Sequence, residues 1–355
     1  MDEQKEIMGM LDLMVHPGFC VKNKKIVRLN SAAQALLLAE DMDLDQLLLT
    51  GHREYGEFTG GCLYLTLCLG GKPWGASVTR TEGLDIFVLE QEEDQAELRS
   101  MALAARELRE PLTNVMITAD RLFPMTALEG NPQLQEQYAR LNRGLYQMLR
   151  ILGNMSDAGE TRVSRQETCD LTAAMAEIME KASALMLHAG IHLNYTGPEE
   201  PVCTLADPEQ LERAVLNILS NAMKFSPKGS TVQAKLTLSG KLLRLSISDS
   251  GSGIPDTIAS SLFRRYLRQP GIEDSRFGLG LGMVLIRSAA AAHGGTVLID
   301  KGPEGGARVT MTMTVRENTS PILRSPVLRV DYAGERNHGL LELSETLPAF
   351  LYEKE

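Results

Sequence analysis

The sequence predicts a multidomain α+β protein. It comprises a small α/β unit, an antiparallel helical hairpin that pairs into a four-helix bundle in a dimer, and a C-terminal α/β sandwich. Three observations carry this. Short strand-like runs separated by turn residues fill the first ninety positions, two uninterrupted heptad seams follow, and capped helices then alternate with strands from about residue 165. The expected boundaries are 1–90, 91–160 and 165–315, with a tail at 316–355.

In the first unit, KNKKIVRLN predicts a hairpin arm and SAAQALLL a short helix. CLYLTLCL, WGASVT and LDIFVLE predict strands, joined at GGK and TEG by hairpin turns. A curved antiparallel sheet with a few helices fits this order. The acidic run EQEEDQ opens a long helix.

That helix carries Leu98, Met101, Ala105, Leu108, Leu112, Val115, Ala119 and Leu122, spaced alternately three and four apart. This is an a/d seam. It keeps phase through Pro111, although proline costs about 3 kcal/mol in a helix interior. A helix that stopped at Glu110 would leave the matching phase beyond it to chance, so the helix is expected to continue. LFPMTALEGNPQ then supplies a turn. A second seam follows at Leu134, Tyr138, Leu141, Leu145, Met148, Leu152 and Met155. A hairpin of two such helices leaves an apolar stripe, covered either by a second copy, as a homodimer, or by a neighbouring domain.

The C-terminal half begins with CDLTAAMAEIMEKASALMLHAG, a helix with Asp170 at its N-cap. DPEQLERAVLNILSNAMKFS is another, with Asp207 as N-cap and Pro208 at the first helical position. KLLRLSISD, TVLIDK and GARVTMTMTV predict strands, and GLGLGMVLIRSAAAAHGG a helix opened and closed by glycine. The tail carries two Ser-Pro steps and a short apolar end, ETLPAFLY, that either docks on the preceding unit or engages a partner.

Composition excludes several classes. The chain has 355 residues, 43% hydrophobic and 23% charged, with a net charge of −10. That balance suits globular domains and argues against a nucleic-acid binder. No apolar run is long enough to span a bilayer and no leader pattern opens the chain, so a cytoplasmic protein is expected. The five cysteines are scattered with no CxxC pair, which points to free thiols rather than a zinc or redox motif.

Four elements in the C-terminal half occur in a fixed order. The first is Asn217-Ile-Leu-Ser-Asn221-Ala-Met-Lys224-Phe225. Asparagines four apart share a helix face, and a carboxamide oxygen suits Mg²⁺ without adding negative charge beside a triphosphate. Lys224 and Phe225, one turn on, suit a phosphate and a base. The second is Asp249-Ser-Gly251-Ser-Gly253-Ile-Pro255, directly after a strand. Its aspartate can accept from the exocyclic amine of adenine, and its glycines permit close backbone approach. The third is Leu262-Phe263-Arg264-Arg265-Tyr266, ahead of the loop RQPGIEDSRF; the fourth is Gly278-Leu-Gly280-Leu-Gly282, whose amides at a helix start favour phosphate. Each alone has an ordinary structural explanation: a solvated helix face, a strand exit, a surface helix, a glycine turn.

Together, over residues 165–315, they resemble the N, G1, F and G2 boxes of the Bergerat-fold ATPases, a group containing sensor histidine kinases, gyrase B and MutL. The resemblance implies ATP and Mg²⁺ as cofactors, Asn221 as the Mg²⁺ ligand and Asp249 as the adenine-binding aspartate. It implies further that Asn217, Lys224, Phe225, Gly251, Gly253 and Phe263 line the nucleotide. Residues 264–282, with Gly278, Gly280 and Gly282, would form the lid and its hinge. In the hydrolase branch a glutamate stands four residues before the Mg²⁺ asparagine as general base. Here that position is Asn217, which cannot take a proton, and the wording NILSNAMKFS is typical of histidine kinases.

The seam helices then resemble the dimerisation and phosphoacceptor hairpin of those kinases, in which the first helix carries His-Glu-Leu-Arg-Thr-Pro-Leu. This chain reads Arg106-Glu107-Leu108-Arg109-Glu110-Pro111-Leu112, matching at five of seven positions but not at the histidine. Arg106 falls on an outward heptad position, where a nucleophile would be accessible. A guanidinium stays protonated and offers no lone pair. Glu107, the family's acid beside the histidine, is retained, while the position linked to phosphatase activity is Glu110. None of the six histidines lies on either seam helix, and His293, in HGG at a helix end, is expected to be a C-terminal cap. The first unit is consistent with a PAS-like sensor domain. Three functions stay open: a two-component sensor kinase acting with a response regulator, a pseudokinase gated by ATP, and a kinase of another protein. Self-phosphorylation at position 106 is not expected.

Overall fold

The computed structural model describes residues 11–12, 14–81, 83–90, 92–159, 166–254, 281–303, 305–316 and 336–354. Five strands form the N-terminal unit: β1 (Gly18–Lys22), β2 (Lys25–Leu29), β3 (Cys62–Leu69), β4 (Lys72–Thr81) and β5 (Leu84–Leu89). They pair antiparallel in the order β2-β1-β5-β4-β3. Asn23 and Lys24, both at positive φ, make the two-residue turn between β1 and β2, and Gly70 and Gly71 make the one between β3 and β4. Such left-handed pairs match the twist of the flanking strands. Two short helices, α1 (Ser31–Gln34) and α2 (His52–Gly56), lie between β2 and β3. The core is aromatic at its centre, with Phe19 and Phe87 stacked at 4.8 Å. Beside them the Tyr55 hydroxyl donates to Asp85 at 2.5 Å, and Arg80 pairs with the same carboxylate.

The helical hairpin follows. Helix α3 (Glu92–Leu122) runs through Pro111 without interruption. The turn after it holds a short helix, α4 (Met125–Leu128), where the sequence suggests only a turn. Helix α5 (Pro132–Gly159) returns antiparallel. Only half of each seam packs within the chain. Ala105, Leu112 and Ala119 of α3 meet Leu145 and Leu152 of α5, joined by Met116. The alternate positions Leu108, Val115, Leu122, Leu141 and Met148 are exposed.

The C-terminal unit is a two-layer sandwich. Its strands β7 (His192–Thr196), β9 (Thr231–Ser239), β10 (Leu242–Ser248), β11 (Val297–Lys301) and β12 (Ala307–Thr314) lie in the order β11-β12-β10-β9-β7. β6 (Glu167–Asp170) and β8 (Cys203–Ala206) form a separate pair. Helices α6 (Leu171–His188), α7 (Pro208–Phe225) and α8 (Leu281–Ala292) share one core with the inward residues of these strands, among them Val232, Ala234, Leu243, Leu245, Met311 and Met313. Asp170 caps α6 by accepting from Thr172 and Ala173, and Asp207 caps α7 by accepting from Gln210, as the sequence predicts.

The units are not separate in their sheets. β3 pairs antiparallel with β11, Tyr64 opposite Val297 and Cys62 opposite Ile299, so one ten-stranded sheet crosses both. An open sheet edge on each side is thereby removed. Around this seam Arg244 bonds Glu57, Thr312 bonds Glu54, and Arg287 of α8 pairs with Glu90 at the end of the first unit. The junction needs glycine at position 61. Gly61 has φ +89°, and a Cβ there would lie 2.2 Å from the Ile299 carbonyl oxygen.

Gly61→Ala is therefore expected to destabilise the chain by about 2 kcal/mol or more. Urea unfolding followed by circular dichroism checks it. An unchanged midpoint would mean that the β3–β11 junction does not form.

Candidate functional site: the helix α7 stripe and the Asp249 turn

Helix α7 buries Leu211, Val215, Ile218, Leu219 and Ala222 against the sheet. The opposite stripe, spaced at helical repeats, is Arg213, Asn217, Asn221 and Lys224. Asn217 is buried. Its Nδ2 donates to the Arg213 carbonyl at 2.9 Å and to Glu342 Oε2 at 3.4 Å, while its Oδ1 accepts from Arg150 Nη2 at 3.4 Å. It also borders the start of α8, because a Cβ on Gly282 would lie 3.0 Å from Asn217 Oδ1. Asn221 is half-buried one turn on, its Nδ2 4.0 Å from the Met283 sulfur. Lys224 pairs with Glu345, and burial lowers its pKa against the opposing pull of that carboxylate.

Asp249 directly follows β10 and is buried. Its Oδ1 accepts from the amides of Gly251 at 2.8 Å and Ala307 at 3.1 Å. Burial raises its pKa and these two amides oppose the rise. The surrounding backbone leaves no room for side chains. A Cβ on Gly306 would stand 2.5 Å from Asp249 Oδ1, and one on Gly251 would stand 2.6 Å from the Phe225 carbonyl oxygen. These glycines let the neighbouring backbone close on Asp249 and fix its carboxylate, which could accept from a ring amine. On α7, one carboxamide oxygen from Asn221 suits a Mg²⁺ ion, which keeps water and phosphate in its remaining positions. The residues present therefore fit a nucleotide with its metal.

Asn217, Asn221, Lys224 and Phe225 lie together on the last turns of α7. Gly251 and Gly253 lie in the turn after β10, and Gly282 lies at the start of α8. Phe263, Gly278, Gly280 and residues 264–280 of the lid expected at 264–282 lie outside the described residues. Arg106 and Glu107 are exposed on α3.

The sequence reading missed a buried ionic cluster. Glu342, with no solvent exposure, accepts from Arg213 Nε at 3.2 Å and Arg150 Nε at 3.3 Å. Arg213 also pairs with Asp157 and donates to Asn154 at 3.0 Å. Arg150 Nη1 is 3.0 Å from Glu345 Oε2. Burial pushes the Glu345 carboxyl up, but Arg150 and Lys224 outweigh it and hold the group below the usual range. The one sequence signal was Arg213, four residues before Asn217 and on its stripe.

Residues 206–317 match the family described as histidine kinase-, DNA gyrase B- and HSP90-like ATPases. Hybrid signal transduction histidine kinase D of Dictyostelium discoideum is 29% identical over 245 residues, covering 64% of this chain and 15% of its own. The adaptive-response sensory kinase SasA of Synechococcus sp. (strain CC9311) is 28% identical over 240 residues, covering 65% of this chain and 61% of its own. The chain is thus similar to sensor histidine kinases over about 65% of its length, and residues 206–317 form a histidine kinase-like ATPase unit. It spans less than two thirds of the length of either relative. Among solved structures, a mycobacterial sensor histidine kinase, MprB, is 28% identical, with 43% of this chain and 99% of that one covered, at a TM-score of 0.36. No helix of the described residues is long and apolar enough to cross a membrane, and none of their His, Cys, Asp or Glu side chains gather in a metal-holding group of three.

His293 acts as a cap within the ATPase unit. Its Nδ1 meets the Ala289 carbonyl at 2.7 Å, and its Nε2 accepts from the Asp207 amide at 3.0 Å. Only a neutral ring does both. Burial lowers its pKa from 6.5. The folded state thus resists protonation that the unfolded state accepts, so this part of the stability is complete above pH 6.5 and is lost as pH falls through 6.5 toward the folded value. The melting temperature should drop between pH 7.5 and 5.5, and His293→Gln should flatten that slope. Equal slopes in both proteins would refute the assignment.

Proposed function

We propose that this chain binds ATP·Mg²⁺ in the cleft between α7 and the Asp249 turn and acts in two-component signalling as a dimeric, cytoplasmic sensor kinase-like protein that does not phosphorylate itself at position 106. The observation that carries this is the pairing of a glycine-cradled, buried Asp249 with the Asn221 and Lys224 stripe inside a histidine-kinase-like ATPase unit. Asp249 would orient the adenine amine, Asn221 would hold the Mg²⁺ and Lys224 a phosphate. ATP supplies the transferable phosphoryl group when bound. Asn217, held by Arg213, Arg150 and Glu342, has no group that could activate water for hydrolysis.

Arg106 favours a second form of this reading, a pseudokinase whose output is an ATP-gated interaction with a response regulator or other signalling protein. The antiparallel order β2-β1-β5-β4-β3 supports a PAS-like input unit at 1–90. With γ-labelled ATP, the wild-type protein alone should carry no acid-labile label. Arg106→His should gain it if the ATP site is competent, and label on an added protein alone would make the chain a kinase of that protein. Asn221→Ala and Asp249→Asn should each weaken nucleotide binding at least tenfold, roughly the worth of one charge-assisted contact. Unchanged affinity in both would refute the site.

The exposed half-seams support the homodimer through the hairpin. Leu108, Val115 and Met148 are each about half exposed and Leu122 is 70% exposed, in phase with the buried half. A second hairpin set against them would complete a four-helix bundle. The double change Leu108→Glu, Val115→Glu should yield monomers by light scattering, with helix content kept. A dimer of unchanged affinity would place the interface elsewhere.

A further inference from the structure

We propose that the C-terminal segment 336–354 is a latch that competes with nucleotide: its carboxylates occupy cations that the phosphates would use, so tail docking and nucleotide binding weaken one another. This rests on the nucleotide site proposed above.

The docking is built into the fold. Helix α9 (His338–Glu342) and the residues after it lie against α5, α6 and α7, with Leu343, Leu347 and Tyr352 buried in the ATPase core. Helix α5 grips the tail backbone. Arg143 donates to the carbonyls of Ser344 at 3.0 Å and Glu345 at 2.8 Å, Gln147 to Ser344 at 3.0 Å, and Asn142 to Tyr352 at 2.9 Å. This grip aims two acidic side chains at the α7 stripe. Glu342 reaches Asn217, which borders the start of α8, and Glu345 reaches Lys224 and Arg150.

Carboxylate and phosphate oxygens take the same charge-assisted contacts from lysine and arginine. A triphosphate beside Lys224 would meet Glu345 as a like charge in a half-buried setting, where repulsion is poorly screened. Release of the tail divides the cations unequally. Arg213 would keep Asp157 and Asn154. Lys224 would lose Glu345, and Arg150 would lose both tail carboxylates. Those two cations are then the ones open to phosphate. Coupling of this kind is reciprocal.

The test uses the full chain and the magnesium complex of a non-hydrolysable ATP analogue, with affinity read by calorimetry. Glu345→Gln removes the competing charge in place. Arg143→Ala loosens the tail without altering the α7 stripe. Both variants should bind the analogue about tenfold tighter than wild type, and saturating analogue should speed hydrogen exchange of tail amides 338–352 in the wild type. Unchanged or weaker affinity in both variants, or tail amides that stay protected at saturation, overturns the latch. No binding by any of the three folded proteins instead overturns the nucleotide site, and the latch with it.

Discussion

A carboxylate with no solvent exposure cannot stand alone, and the placement of Glu342 governs how three segments of this chain meet. It sits between Arg150 of the hairpin and Arg213 of the ATPase unit. Desolvating such ions costs several kcal/mol each, and the cluster is tolerated only because every member has more than one partner. Arg213 is shared with Asp157 and Asn154, and Arg150 with Asn217 and Glu345. Loss of both arginines would strand Glu342, and an uncompensated buried charge typically costs about 3–5 kcal/mol. The tail therefore ties the hairpin to the ATPase unit through charge as well as through its buried apolar side chains Leu343, Leu347 and Tyr352.

Helix α7 serves two demands at once. Its inner stripe must be apolar to hold the sheet, which leaves one polar stripe for chemistry. Asn217, Asn221 and Lys224 are confined to that stripe by helical spacing, and Arg213 begins it. The nucleotide groups and the ionic cluster are thus neighbours by geometry. A tail that satisfies Arg213 and Arg150 comes within reach of Asn217 and Lys224.

Much of this was legible locally. The caps at Asp170 and Asp207, the turn at residues 70–71 and the continuity of α3 through Pro111 each depend on a few adjacent residues, and the structure follows the sequence there. The heptad pattern marked the seams but could not tell which half packs within the chain, because both halves are apolar. Strands β6, β7 and β8 are four or five residues long, too short for period to register. β9 alternates clearly and was still not singled out. For the site, Asp249 and the α7 asparagines stood out through motif order. Glu342 and Glu345 did not, since their partners lie more than a hundred residues away and no local pattern marks a buried carboxylate.

The ATPase unit is held on a second side as well. Strand β11 is paired to β3, and Arg287 of α8 reaches Glu90, the residue that precedes the hairpin helix by two positions. Leu281 and Val284, on the first turn of the same helix, pack with Leu98 of α3. The start of α8 adjoins Asn217, so a change in how the first unit meets β11 has a short mechanical path to the α7 stripe. The sheet junction, the Leu98 contact and the tail cluster together hold the ATPase unit against the first unit and the hairpin.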